Sequence, residues 1–554
     1  MGVLDRRMGV LFVAFVALLV VALLRAAYLG SVRAGSLERA AATQQVTTVI
    51  TPAPRGTITD RQGVELAVSE SADDVVADPY LILRSGQAQK DAQALAPLLG
   101  KPFPTVLEQV TKPHTGFVYL DHLLLGAQAA AIARLHLNGI SLIPEARRLY
   151  PRSWQASQVL GFVGAQGEGL SGLEYEYNRE LRGRDGVRKV VSDAIGQPIS
   201  IEDVKPTVPG KTLRLTIDGA LQSYVEGVLA GVGAQYSPQS ATAIVSDPRT
   251  GAILALANWP LVNSNDPLSA PPPAWADQAL GFSYEPGSTF KAITVAGALQ
   301  DGLITPDSQF DIPPVLQFAD RQIHDAESHG YETLSVANIL KVSSNIGADE
   351  IGMRLGAQRF DHWVHRFGFG SPTGVDLPGE QRGIVLHAWQ YSGSSMANLP
   401  FGQGESVTPV QMIAAYDAIA NGGTLRAPHI VSSIAGKPVK VPRGRQILSP
   451  PVARELRDML RGVFADGGTA SGAAIPGWDM AGKTGTANIA IAGKYSSSAY
   501  VASFIGMVPT NNPRLVVSVV VDRPNGAIYG GSVAAPAFQK IVGWAVPYLG
   551  ISPQ

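Results

Sequence analysis

One stretch limits this chain more than any other: Tyr284-Glu285-Pro286-Gly287-Ser288-Thr289-Phe290-Lys291, followed without interruption by Ala292-Ile293-Thr294-Val295-Ala296-Gly297-Ala298-Leu299. Pro286-Gly287 breaks whatever precedes it, and the small apolar run that follows contains no proline. The pattern predicts a turn feeding a buried helix. Residues three apart share a helix face, so Ser288 and Lys291 point the same way. Ser288 falls in the first turn, where unpaired backbone N–H groups and the positive end of the helix dipole converge. That field, with burial, disfavours an ammonium and brings Lys291 toward the range of a usable base. A serine hydroxyl becomes a competent nucleophile when such a base takes its proton. Taken alone, the tetrad also fits a capping serine followed by an exposed lysine.

Two later stretches bear on that choice. Ser343-Ser344-Asn345 follows the helical pattern Val336-Ala337-Asn338-Ile339-Leu340-Lys341, and Lys483-Thr484-Gly485-Thr486 follows Asp479-Met480-Ala481-Gly482. Each read singly is a helix-end cap or a solvated strand terminus. The ordered set Ser-x-x-Lys, Ser-x-Asn, Lys-Thr-Gly is the signature of penicillin-binding proteins and serine β-lactamases. On these three motifs the chain resembles the penicillin-recognising acyl-serine transferases.

The bulk numbers narrow the class. At 554 residues the chain exceeds one core, and two or more domains are expected. A net charge of −1 argues against a polyanion-binding role and leaves no nucleic-acid footprint. With Cys 0, disulfides, thiol nucleophiles and cysteine-ligated zinc are excluded. The 39 prolines and 59 glycines mark turns, because 45% of the residues are hydrophobic.

At the N-terminus, Asp5-Arg6-Arg7 precedes an uncharged run from Met8 to Leu24, at the lower limit for about 30 Å of hydrocarbon. Arg25 can snorkel, so the span extends to Leu29 with Tyr28 at the interface. A cleaved signal peptide would have a shorter apolar region and a small-x-small cleavage site. The expectation is an uncleaved anchor over 8–29, a cytoplasmic tail of 1–7 holding Arg6 and Arg7, and a catalytic bulk outside the cytoplasmic (inner) membrane. Residues 30–47 read as a polar helix or linker.

Arg55-Gly56-Thr57-Ile58-Thr59-Asp60-Arg61-Gln62-Gly63 reads as two short strands around a turn. This segment, with Arg148-Leu149-Tyr150-Pro151, Gly172-Leu173-Glu174 and Leu181-Arg182-Gly183, resembles class B penicillin-binding proteins, which place such segments in a non-catalytic pedestal. Charged residues beside glycine turns also fit solvated hairpin tips. A second domain starts at Thr212–Asp218. A helix with apolar positions Leu221, Tyr224, Val225 and Leu229 follows, then a hairpin of 241–245 and 252–257 about Asp247-Pro248-Arg249-Thr250-Gly251. Strands at 500–506 and 515–521 and a helix over about 538–546 close the chain. By resemblance the fold is α+β: a penicillin-binding/serine β-lactamase-like transpeptidase domain over 211–554, with a five-stranded antiparallel sheet beside helices, and an elongated β-rich pedestal over 30–210. No wall-binding repeats are expected after residue 550.

The resemblance implies roles. Ser288 is the nucleophile, Lys291 the acylation base, and Ser343 the proton relay to the departing D-alanine. Asn345 hydrogen-bonds the substrate backbone or orients Lys291. Lys483 supports Ser343 and attracts the substrate carboxylate, to which Thr484 and Thr486 offer hydroxyls. Gly485 lets the edge strand approach the substrate closely. The backbone N–H groups of Ser288 and Thr486 form the oxyanion hole.

No metal or cofactor is implied. His324-Asp325-Ala326-Glu327-Ser328-His329 fits a solvated turn better than a metal site, and His362 and His365 fit packing. Phe401-Gly402-Gln403-Gly404 resembles the family's structural glycine-rich turn. Glu380 sits in a Leu-Pro-Gly-Glu turn and lacks the pattern of a hydrolytic base. The acyl-enzyme is therefore expected to await an amine, which means cross-linking of peptidoglycan stem peptides and long-lived acylation by β-lactams. Asn258-Trp259-Pro260, Asn265-Asp266-Pro267 and 530–538 resemble the division type over the elongation type. The family also implies a polytopic, FtsW-like lipid II polymerase and other division proteins as partners. A β-lactam sensor and a β-lactamase are the competing functions.

Overall fold

The computed structural model describes residues 2–33, 46–192, 198–319, 321–491 and 493–553. The expected linker over 30–47 therefore lies largely outside the described residues. The N-terminal helix runs Gly2–Ser31, longer than the apolar run alone because its flanks are also good helix formers. Within it, Arg7–Ser31 is long and apolar enough to cross a membrane.

Two compact units follow from the packing. The first comprises residues 1–54, 71–147 and 183–210. It contains a three-stranded antiparallel sheet of Val46–Thr51, Gly186–Ser192 and Pro198–Lys205. Short helices, among them Ala88–Leu99 and Phe103–Val110, bury Leu95, Val106 and Val110 against Val75 and Leu120.

The second unit comprises residues 55–70, 148–182 and 211–554. The quoted segments around Arg55, Arg148 and Glu174 thus pack with the C-terminal part of the chain. Arg55, Arg148 and Glu174 are not solvated tips, whereas the turn at Arg61-Gln62-Gly63 is exposed as a hairpin tip would be. Glu174 is fully buried, forms an ion pair with Arg55 Nε, and accepts from Arg148 Nε at 2.7 Å. Arg55 also donates to Asn178 Oδ1 at 2.7 Å and to the Gly167 carbonyl at 3.0 Å. The local sequence reading failed here because Glu174 lies 119 positions from Arg55 and 26 from Arg148 and pairs with them only after folding. Glu174→Ala would leave two buried guanidinium groups around an empty site. The expected cost is about 3–5 kcal/mol, seen as a lower urea midpoint at unchanged m value.

The centre of this unit is a five-stranded antiparallel sheet built from β1 (Ser240–Asp247), β2 (Ala252–Trp259), β3 (Ala481–Ile491), β4 (Lys494–Val508) and β5 (Leu515–Asp522), in spatial order β2-β1-β5-β4-β3. Both faces are apolar, as the unbroken strand sequences require. Val517, Val519, Val521 and Phe504 pack under helices α1 (Gly219–Tyr236) and α7 (Gly530–Tyr548). Val516, Val520 and Ile505 face the helical side, whose members are α2 (Lys291–Gln300), α3 (Val336–Val342), α4 (Asn345–Leu355), α5 (Ala357–Arg366) and α6 (Pro409–Ala420).

The C-terminal helix starts eight residues earlier than expected and runs through Pro536. Proline removes the N–H that would bond the carbonyl four residues back. That carbonyl, on Ser532, instead accepts from Tyr236 Oη at 3.2 Å.

Candidate active site

Strand β3 is a free edge of the sheet, and the turn before α2 lies against it. Gly287–Phe290 form a single 3₁₀ turn that continues into α2. In a 3₁₀ turn side chains three apart eclipse, so Ser288 and Lys291 line up more closely than on an α-helix. Ser288 is half-buried; Lys291 is fully buried. The edge strand approaches because position 485 has no side chain: a Cβ there would sit 3.0 Å from the Pro286 carbonyl and 2.4 Å from Ser503 Oγ. The absence of a side chain at 485 thus lets this strand approach the turn that carries Ser288.

Behind the turn, Gly287 N–H donates to the Gly402 carbonyl at 2.9 Å. Gly402 has φ +83°, and a Cβ on it would lie 2.3 Å from the Gly287 carbonyl oxygen. The glycine-rich turn therefore backs residue 287. Gly402→Ala must push that turn forward, and an acylation rate reduced by at least about tenfold is expected, measured as second-order adduct formation on protein with native circular dichroism.

Ser343 closes α3 in the left-handed region, φ 64° and ψ 38°. This sparsely populated conformation aims its side chain between two buried amines. Lys483 Nζ donates to Ser343 Oγ at 2.8 Å and to the Thr484 carbonyl at 3.2 Å. Lys291 Nζ donates to Ser343 Oγ at 3.2 Å, to the Ser343 carbonyl at 2.5 Å and to Asn345 Oδ1 at 2.7 Å. Ser288 Oγ is not among the partners of Lys291 in this conformation. Of the two roles expected of Asn345, the geometry matches orientation of Lys291.

Burial decides the protonation of this cluster. It pushes Lys291 down to about 7, against the opposing pull of Asp325 and Asp349. Lys483 is pushed well below its ordinary value, first by burial and then by the charge of Lys291. One hydroxyl between two amines, at least one of them able to be neutral near pH 7, can accept a proton from one side and release it to the other.

Thr484 and Thr486 lie on the same face of β3. Thr484 Oγ1 donates to Thr469 Oγ1 at 2.8 Å, and Thr486 Oγ1 accepts from Gly530 N–H at 3.0 Å, at the start of α7. Each hydroxyl keeps capacity for a further bond.

Sequence reasoning missed Asp325. Its carboxylate accepts from Ser344 Oγ at 2.6 Å and from the N–H of Asn345 and Ile346, so it caps α4 from outside that helix. The adjacent His324 carbonyl accepts from Asn345 Nδ2 at 2.9 Å, which turns Oδ1 toward Lys291. His329 Nε2 lies 3.2 Å from Asp325. The one local signal was the His-Asp pair, weighed above as a metal loop. His365 packs within its own helix, 2.7 Å from Asp361, and stacks on His387.

Sheet, flanking helices and the serine–lysine pocket together define a penicillin-binding serine acyltransferase. Residues 241–543 match the penicillin binding protein transpeptidase domain and residues 50–215 the penicillin-binding protein dimerisation domain. The chain belongs to the class B penicillin-binding proteins. It is 34% identical to stage V sporulation protein D of Bacillus subtilis over 90% of this chain and 79% of that protein. It is 32% identical to peptidoglycan D,D-transpeptidase FtsI of Escherichia coli over 92% of this chain and 85% of that one. Among solved structures, a peptidoglycan synthetase from Bifidobacterium adolescentis matches with a TM-score of 0.73 and 28% identity, covering 92% and 98% of the two chains. Penicillin binding protein 3 from Mycobacterium tuberculosis, complexed with aztreonam, matches at 0.71 and 28%, covering 91% and 98%.

Proposed function

We propose that this chain is a membrane-anchored peptidoglycan D,D-transpeptidase that cross-links stem peptides through an acyl-enzyme on Ser288, working in septal wall synthesis. The observation that carries the chemistry is the hydroxyl of Ser343 held between two buried lysines, one of them aligned with Ser288. Neutral Lys291 takes the Ser288 proton as Oγ attacks the carbonyl of the penultimate D-alanine. The oxyanion is held by the N–H groups of Ser288 and Thr486, and the terminal carboxylate by Lys483, Thr484 and Thr486. Collapse breaks the amide C–N bond, and the proton passes from Lys291 through Ser343 to the leaving D-alanine nitrogen. An acceptor amine then attacks the ester, its proton returning to Ser288 as the new amide forms. A β-lactam enters the same first step but keeps its leaving nitrogen tethered, so the adduct persists; the Mycobacterium tuberculosis relative is known complexed with aztreonam and with ampicillin.

Within the helix Gly2–Ser31, residues 8–29 serve as a single-pass anchor in the cytoplasmic membrane, with residues 1–7, Arg6 and Arg7 among them, inside and the chain beyond residue 29 outside. Residues 30–210 act as the pedestal, and residues 211–554 as the catalytic domain. The septal role, with a polytopic, FtsW-like lipid II polymerase and other division proteins as partners, is what the resemblance of Asn258-Trp259-Pro260, Asn265-Asp266-Pro267 and 530–538 to the division type implies. Supplied with uncross-linked glycan strands, the protein is expected to release D-alanine and form cross-linked dimers. Release without dimers would instead mark a carboxypeptidase. A fluorescent fusion concentrated at midcell supports the septal role, and an even side-wall distribution contradicts it.

A further inference from the structure

Among the described residues, one group of three side chains able to ligate a metal stands together: Asp361, His365 and His387, whose ligand atoms all lie within 4.8 Å of one another. None of the three belongs to the serine–lysine pocket. Asp361 and His365 are four apart on α5 and so share a face. His387 comes from the loop beyond, just before a single 3₁₀ turn over Ala388–Gln390. Its backbone is fixed there, since the N–H donates to Gln390 Oε1 at 2.9 Å and the carbonyl accepts from Gln390 N–H at 2.7 Å. Its side chain is half-exposed, so the ring can turn toward an ion without disturbing the core.

The three groups satisfy one another poorly. Asp361 Oδ1 lies 2.7 Å from His365 Nδ1 and 3.5 Å from His387 Nδ1, yet neither ring gives it an aligned hydrogen bond. His365 Nδ1 meets the Asp361 carbonyl instead, at 3.0 Å. The two imidazoles stack with centroids 4.3 Å apart, a distance at which two imidazolium charges repel. A divalent ion relieves both problems. It takes the place of the ring proton, keeps each imidazole neutral and gives the carboxylate a positive partner. Bonds of about 2.0–2.2 Å place tetrahedral ligand atoms about 3.4 Å apart, between the two separations to Oδ1. His365 Nε2 faces the bend at Gly370, where a Cβ would lie 3.7 Å from it, so Nδ1 is the atom this residue offers. The adjacent cation, Arg366, is directed elsewhere, over the Trp363 ring and to the Ile447 carbonyl at 3.2 Å. Two imidazoles and one carboxylate suit zinc, whereas calcium and magnesium seek oxygen ligands alone.

We propose that Asp361, His365 and His387 bind one zinc ion, with water completing the tetrahedron, as a clip that fastens the loop at 387 to α5. That helix braces the one carrying Lys291: a Cβ on Gly297 of α2 would lie 2.7 Å from the Trp363 ring. The clipped loop also pairs through Ile384 with Ser406, close in sequence to the turn that backs Gly287. Zinc thus stabilises the scaffold behind the pocket and takes no part in acyl transfer.

The test titrates ZnCl₂ into the full-length protein, carrying no histidine tag and stripped of metal by a chelator, and reads binding by isothermal calorimetry. Wild type is expected to take up one equivalent with a Kd below about 10 μM. Asp361→Asn and the more exposed His387→Ala should each weaken binding at least about hundredfold, while His329→Ala, in the other loop of histidines and acids, keeps wild-type affinity. Zinc at about a hundredfold excess over its Kd should raise the wild-type Tm by about 4 °C and leave those of the two weakened variants unmoved. No uptake by wild type, undiminished affinity in both variants, loss of binding through His329→Ala alone, or equal binding of calcium would each overturn the inference.

Discussion

Replacing Ser288 by alanine is expected to abolish labelling by fluorescent penicillin and all release of D-alanine, while thermal unfolding stays within a few degrees of wild type. The side chain is half-buried and holds no structural hydrogen bond, so its loss opens no sizeable cavity and strands no partner. The 3₁₀ turn is fixed by other contacts: Gly287 N–H on the Gly402 carbonyl, Thr289 Oγ1 on the Pro286 carbonyl at 2.8 Å, and Tyr416 Oη on the Thr289 carbonyl at 2.7 Å. Activity should therefore vanish from an intact fold. The measurement is in-gel fluorescence after denaturation, with intact mass spectrometry to count adducts. A full-strength covalent adduct on the alanine variant would place the nucleophile elsewhere.

The second large effect concerns Lys291 and pH. As a base it acts only when neutral, and burial brings it down to about 7. Below that value the neutral fraction falls about tenfold per unit, so the acylation rate should rise with pH up to about 7 and level off above it. Lys291→Ala should lower the rate by about 10²–10⁴-fold and remove this rise altogether. Stopped-flow acylation between pH 5.5 and 9 distinguishes the outcomes: a rate that falls across pH 6–7 in wild type, or a variant that keeps the rise, contradicts the assignment.

The chain's own pattern disclosed a good part of this. Three short motifs, each ordinary alone, fall on a helix start, a helix junction and an edge strand, and the turn at 286–287, the hairpin at 241–257 and the apolar strands near the C-terminus are where periodicity put them. Those features are local: proline–glycine breaks, unbroken β-branched runs and small-residue helices act over a few residues, and so can be read in order. Even the alignment of Ser288 with Lys291 needed only the spacing of three.

What the tertiary structure decided is which groups face one another. The ion pair of Glu174 with Arg55, the capping of α4 by Asp325 and the backing of Gly287 by Gly402 join residues about 20 to 119 positions apart. No spacing rule reaches so far. Neither could sequence tell that Lys483 is fully buried and shares Ser343 with Lys291, because the cost of desolvating an amine depends on the whole surrounding core. Composition and order named the candidate reacting groups; the dielectric around them, and the partners that aim them, exist only once the sheet and its helices have closed around the pocket.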